Sequence, residues 1–465
     1  MALRVPFMSL CRPVTRGANS INSSKSCLPK GFEKRRVEHS ALARTNRLRA
    51  IRMQGSTSQT EFPNYMDGDM MLKKQAEWQR QFLKDQALVC PEPSSTQQTL
   101  RSSFIRKGVG LHSGAPVTVR VRPAFAGEGR YFVLVPEGYI KDEEETFEDD
   151  EEIDEEDLED MRLEFYKMSL LDEEERAARE EELFPGQDLN IDKVTPAESA
   201  VKGDKGEVRI PASLDHVVSE PLKLCTKLQA GDVTISTVEH ILSALEASGV
   251  DNARIEVQEG TELPVLDGSA EGWLGGVTDC GVVPAVCPKG KTRDRLAYKP
   301  SEPIVVSSGE SFIMLHPEDK PRITYTIDFS AKSSAIGKQS HSWCPLEDKP
   351  YAYDIGQART FTTLEDAEEA RKAGLIRGGS PVNALIAGRA DFENPPLRYS
   401  NEPVRHKMLD LIGDMALLAS NGNAGLPIGH VVAFKAGHEL HVKFARKVLE
   451  ACSKDGPVPA VVRKQ

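Results

Sequence analysis

Hydrophobic and polar positions change rhythm several times along the 465 residues. Up to residue 98 polar residues dominate, and only 73–88 carries a helical spacing of apolar positions. Order is expected from residue 99. Residues 117–122 alternate as a strand does, and 131–135 read as another. Residues 142–206 then interrupt the pattern with an acidic and polar run, of which 170–183 has helical composition. Structure resumes at 208, with strand, helix and strand at 222–228, 238–247 and 252–258. The Pro/Gly-rich residues 282–291 read as a linker. A second series follows: strands at 304–306, 312–315 and 322–329, a helix at 363–373, a strand at 384–386, a helix at 404–419, a strand at 430–434 and a helix at 441–452. Together these predict an α+β fold in two halves of similar size, 99–285 and 292–465, with helices against antiparallel or mixed sheets.

Composition shows where the unpacked part lies. Hydrophobic residues make up 39% of the chain, which is low for a wholly packed protein. Residues 142–184 hold 23 acidic and 4 basic side chains, a local charge of -19. Residues 1–53 hold 12 basic and 2 acidic ones, a local charge of +10. Without these two segments the net charge of -12 becomes -3. A nearly neutral remainder excludes a nucleic-acid surface. The Arg- and Ser-rich first 53 residues have the composition of an organellar transit peptide, and their arginine content favours a mitochondrion over the alternative, a plastid. Residues 54–98 follow as a polar extension or linker. The acidic block is expected to be a solvated insertion in a surface loop. No apolar run approaches the roughly 20 residues that span a bilayer, so no transmembrane segment is predicted. The 8 cysteines include no CxxC pair and are expected to be reduced structural thiols.

Candidate chemistry collects in a few stretches. The helix at 404–419 is apolar on most sides, yet His406, Asp410 and Asp414 recur at four-residue spacing and so share one face. Carboxylates in a core need a cation, hydrogen bonds or a wet cleft. A metal held by His406 and Asp410 would satisfy them; a polar face turned to solvent is the plainer alternative. In STVEH, Ser236 and Glu239 have the spacing of a capping box, and His240 lies beside Glu239 in the first turn. The absence of H-E-x-x-H argues against the common metalloproteases. Four loops stand out: KGVGLHSG with His112, LPVLDGSA with Asp267, RTFT at 359–362, and KAGHELH with His438 after a glycine. Each alone reads as a hydrogen-bonded turn.

Taken together, GVGLHSG, ISTVEH, DNARIEV, LPVLDGSA, ARTF, GLIRGGS, VRHKMLDLIGD and FKAGHELH resemble, in order, the UDP-3-O-acyl-N-acetylglucosamine deacetylases. The resemblance runs from 99 to 452 apart from the acidic insertion at 142–206. It implies two domains of like topology with helices sandwiched between two sheets, and an apolar passage for an acyl chain near 345–379. It also implies a zinc site of His240, His406 and Asp410, with iron(II) as the alternative ion. Glu239 would be the general base, His438 an electrostatic partner or general acid, and Asp414 the group that orients His438. Thr360 would lie near the scissile carbonyl. Phe361, Lys407 and His112 would contact substrate.

The activity so implied is hydrolytic removal of the N-acetyl group from an acylated UDP-sugar, UDP-3-O-(3-hydroxyacyl)-N-acetylglucosamine. Its products are acetate and a free amine, in the committed step of lipid A synthesis. A monomer is expected. Either His438 or Glu239 could protonate the leaving amine. Two competing readings are a zinc-binding scaffold without turnover and a zinc amidohydrolase for another acylated substrate.

Overall fold

Two five-stranded sheets with the same strand order form the frame of the protein. The computed structural model describes residues 94–141, 207–219, 224–394 and 396–460. The transit-like segment 1–53, nearly all of the extension 54–98 and the acidic segment 142–206 lie outside the described residues. The first sheet contains β1 (Phe104–Val109), β2 (Pro116–Pro123), β3 (Arg130–Val135), β4 (Arg209–Pro211) and β5 (Ala253–Gln258). The second contains β6 (Ile304–Ser308), β7 (Ser311–His316), β8 (Arg322–Asp328), β9 (Lys338–Trp343) and β10 (His430–Phe434). Their orders are β1-β2-β5-β3-β4 and β6-β7-β10-β8-β9. In each, the last strand in sequence inserts at the centre, antiparallel to one neighbour and parallel to the other.

A helix precedes and another follows each central strand. The pairs are α1 (Glu239–Ala247) and α2 (Glu271–Cys280) around β5, and α4 (Glu402–Met415) and α5 (His438–Cys452) around β10; α3 (Leu364–Lys372) lies between. The fold is therefore α+β, as expected. Central strands β5 and β10 supply buried Ile255, Val257, Val431 and Ala433, which join Ile241, Leu245, Leu409 and Ile412 of α1 and α4 in one core. α1 and α4 pack directly on each other, and α4 also meets β8 and β9. Gly413 makes this crossing possible. A Cβ there would stand 2.0 Å from the Glu239 carbonyl oxygen, so any larger residue would push the helices apart.

The expected elements mostly recur, with instructive differences. The segment read as a linker begins with a strand, Val282–Pro284, paired antiparallel to Gln98–Leu100. The strand expected at 222–228 starts at Lys227 and forms a hairpin, Lys227–Ala230 with Val233–Ser236. β9, KQSHSW, was not predicted, because this edge strand exposes polar residues on alternate positions and carries no apolar rhythm. α2 escaped notice because its glycines hide the helical period. Gly276 there lets the Phe104 ring close on the helix, its nearest atom 2.3 Å from where a Cβ would be. The described cysteines 225, 280, 287, 344 and 452 are free thiols. No helix among the described residues is long and apolar enough to cross a membrane.

Candidate active site

The site forms where α1, α4 and α5 meet. α1 starts abruptly. Thr237 sits at φ 60, a left-handed conformation that a β-branched residue adopts only when its surroundings hold it there. Its amide donates to the Thr226 carbonyl and its hydroxyl to Glu262. The capping box expected of Ser236 and Glu239 is absent. Ser236 ends a strand, Val238 occupies the cap position, and no side chain caps the helix. The Glu239 carboxylate instead accepts the Thr226 amide at 3.0 Å and lies buried. Glu239 is thus released from a local role and points into the crevice between helices.

α4 begins with Pro403 in its first turn, a position where a missing N–H costs nothing. Glu402 is fully buried and holds the segment before α3 in place. Its carboxylate takes the Arg359 amide and guanidinium at 3.0 and 2.9 Å, and the Arg398 amide at 2.6 Å. That segment presents the Ala358 carbonyl to His406 Nδ1 at 2.9 Å. His406 Nδ1 must donate this bond, so its Nε2 is left bare and aimed inward.

Three side chains then converge. His406 Nε2 lies 3.3 Å and His240 Nε2 3.8 Å from Asp410 Oδ1. The three ligand atoms all lie within 4.8 Å of one another, and the two imidazoles meet edge to face at 5.1 Å. A tetrahedral ion with bonds of about 2.0–2.1 Å sets its ligands roughly 3.3 Å apart, so this set needs only a small contraction to close on zinc. Burial, reinforced by the neighbouring His406, pushes His240 down to about 3 and keeps it neutral, the form that binds metal. Burial alone would raise Asp410, but Lys407, His406 and His438 together hold it well below the usual carboxylate range. Lys407 Nζ grips the other oxygen, Oδ2, at 2.8 Å.

A second group adjoins the first one turn along α4. His438, the first residue of α5, and His441 both donate Nδ1–H to Asp414 Oδ2 at 2.8 Å. Thr226 donates its hydroxyl to Oδ1 at 2.5 Å. These three are also spaced for a metal, but protons already fill the gaps between them. Burial would lower His438, yet Asp414, Asp410 and Glu239 raise it to about 9. Glu239 is pushed up to about 7, first by burial and then by Asp414 and Asp410, against the pull of His438. A carboxyl near neutrality beside an imidazolium is a pairing suited to proton transfer.

The remaining predicted residues flank this centre. The Phe361 ring stands edge-on to His406 at 6.4 Å, and Lys407 Nζ lies 6.0 Å over its face. Thr360 is half-buried beside it, its amide bonded to the Gly268 carbonyl at 2.7 Å. Asp267, singled out in the LPVLDGSA turn, pairs with Arg398 at 2.7 Å, so that turn braces the Thr360 segment. His112 joins through its backbone: Glu262 accepts its amide at 2.8 Å together with the Thr237 hydroxyl. Neither ring nitrogen of His112 has a hydrogen-bond partner among the described residues. Sequence reasoning missed Thr226, Glu402 and His441. Only His441 gave a signal, lying three residues after His438 and hence on the same helix face.

Comparison with known proteins decides what this geometry belongs to. The sequence pattern of the family described as UDP-3-O-acyl N-acetylglycosamine deacetylase matches residues 97–152 and 186–450. The chain belongs to this deacetylase family. A relative from Arabidopsis thaliana, "Probable UDP-3-O-acyl-N-acetylglucosamine deacetylase 1, mitochondrial", is 35% identical over 75% of this chain and 87% of its own length. The UDP-3-O-acyl-N-acetylglucosamine deacetylase of Nostoc sp. is 36% identical over 76% of this chain and 98% of its own. That of Thermosynechococcus vestitus is 35% identical over 77% and 96%. The deacetylase pattern skips residues 153–185, which fall inside the acidic segment.

Proposed function

We propose that the protein hydrolyses the N-acetyl group of UDP-3-O-(3-hydroxyacyl)-N-acetylglucosamine, releasing acetate and the free amine, the committed step of lipid A synthesis. The observation that carries the reading is the convergence of His240, His406 and Asp410 beside a buried Glu239, in a chain of the deacetylase family. The donor set, two neutral imidazoles and one carboxylate, suits zinc and leaves a coordination position open. When bound, zinc would supply Lewis acidity, acidifying water and polarising the amide carbonyl.

The protein's own groups would do the rest. Glu239 takes the proton of the attacking water. His438 turns its Nε2 toward the centre, 3.9 Å from Asp410 Oδ2, while Asp414 holds its Nδ1. Charged in this position, it steadies the oxyanion and protonates the departing amine. Thr360 adds a hydroxyl near the carbonyl. Phe361 and Lys407 contact the sugar, and His112, with both ring nitrogens unpartnered among the described residues, offers a donor to substrate. Leu375 and Val382 are exposed apolar residues in the stretch after α3. Residues 377 and 378 bond to the backbone of His112 and Leu111, which supports an acyl-chain passage on this side.

We take each sheet with its two flanking helices as one domain, the site lying between the equivalent helices α1 and α4. The basic first 53 residues and the mitochondrial name of the Arabidopsis relatives support import into a mitochondrion. The test is acetate release from UDP-3-O-(3-hydroxymyristoyl)-N-acetylglucosamine, with metal content determined on the same sample. Turnover lost to a chelator and restored by zinc is expected. A zinc-loaded protein that releases no acetate would overturn the reading.

A further inference from the structure

His441 takes no part in the scheme above, yet it is one of the least accessible polar side chains in the protein, with 0% of its surface exposed. Both ring nitrogens are engaged. Nδ1 donates to Asp414 Oδ2 at 2.8 Å, and Nε2 lies 2.9 Å from the Tyr325 hydroxyl. Tyr325 is itself fully buried on β8, and its hydroxyl also lies 2.8 Å from the Ala436 carbonyl. The two rings meet edge to face at 5.9 Å. His438 and His441 therefore grip the same carboxylate oxygen from adjacent turns of α5.

A carboxylate held by one imidazole can still rotate about χ2 and swing its partner. Asp414 is held at three points: the Thr226 hydroxyl on Oδ1, and two N–H groups on Oδ2. The third point comes from a residue that the second sheet anchors through Tyr325. We propose that His441 is a positioning residue for the deacetylase reaction, fixing the Asp414 carboxylate so that His438 Nε2 stays aimed at the scissile amide. This inference rests on the proposed activity. The alternative is that His441 only fills space and docks α5 on β8.

Two substitutions separate these roles, because each keeps one half of the imidazole. His441→Asn retains an N–H near the Nδ1 position and so the bond to Asp414, while giving up Tyr325. His441→Gln reaches toward Tyr325 but loses the donor to Asp414. Both should fold and bind one zinc. The full-length proteins would be compared by kcat, KM, zinc content and the downfield imidazole N–H resonances of ¹⁵N-histidine-labelled samples. His441→Asn should keep a kcat close to that of the unsubstituted protein. His441→Gln should lose about 10–100-fold in kcat with KM little changed, the usual cost of removing an orienting partner. The His438 N–H resonance should shift in His441→Gln and stay near its place in His441→Asn. Equal kcat for the two variants, or a His438 resonance unmoved in His441→Gln, would overturn the inference. The resonances need no turnover, so they judge His441 even if the unsubstituted protein proves inactive on this substrate, an outcome that would sink the proposed activity instead.

Discussion

Two groups of two histidines and one aspartate lie side by side along α4, which supplies His406 and both aspartates while α1 and α5 bring the other histidines. In the first, His406 Nε2, left bare, and His240 Nε2 stand 3.3 and 3.8 Å from an oxygen of Asp410, longer than ordinary hydrogen bonds. In the second, His438 and His441 meet Asp414 through Nδ1–H at 2.8 Å. The difference lies in which nitrogen faces inward. The Ala358 carbonyl occupies His406 Nδ1 and leaves Nε2 for a cation. In the second group the inward Nδ1 atoms carry protons. Composition cannot make this distinction, because the backbone and side-chain partners around each ring decide it.

The sharpest way to break the comparison is to remove a member of each group. His406→Ala or Asp410→Ala should abolish both zinc binding and turnover, read by metal content and acetate release. Glu239→Gln should keep the zinc and lower kcat by about 10²–10⁴, the usual worth of a positioned base. Asp414→Asn should also keep the zinc and cost about 10–100-fold in kcat. The pH profile adds a sign. If Glu239 is the base and His438 the acid, the rate should rise as Glu239 loses its proton and fall as His438 loses its own. Asp414 supports the His438 proton, so Asp414→Asn should move the alkaline limb to lower pH. A profile unchanged in that variant would separate His438 from the alkaline limb. The smallest effect is expected from Gly413→Ala, which forces α1 and α4 apart at the Glu239 carbonyl. It should cost roughly 1–3 kcal/mol of stability by denaturant titration. If stability is unchanged, the helix crossing does not depend on that glycine.

Much of this was legible in the sequence, for identifiable reasons. The alternation in β2, the apolar runs of β3 and β10 and the apolar bulk of α4 follow from burial on a sheet face or between layers, which leaves a trace in the sequence. His406, Asp410 and Asp414 were readable because four-residue spacing on a buried helix puts charge where charge is costly. β9 and α2 were not, since an exposed edge and a glycine-rich packing face erase the period. The Ser236–Glu239 capping pattern misled, because Thr237 adopts a left-handed conformation and the cap position falls at Val238. Thr226 and Glu402 act through contacts 188 and 43 residues away along the chain, to Asp414 and Arg359, and no local pattern encodes such pairs.

The first group is expected to hold the ion and the second to hold protons. Anomalous diffraction at the zinc edge, from crystals grown with zinc, tests this most directly. One peak is predicted among His240 Nε2, His406 Nε2 and Asp410, with metal–nitrogen distances of about 2.0–2.1 Å, and none between Asp414, His438 and His441. A peak in the second group, or none in the first, would contradict it.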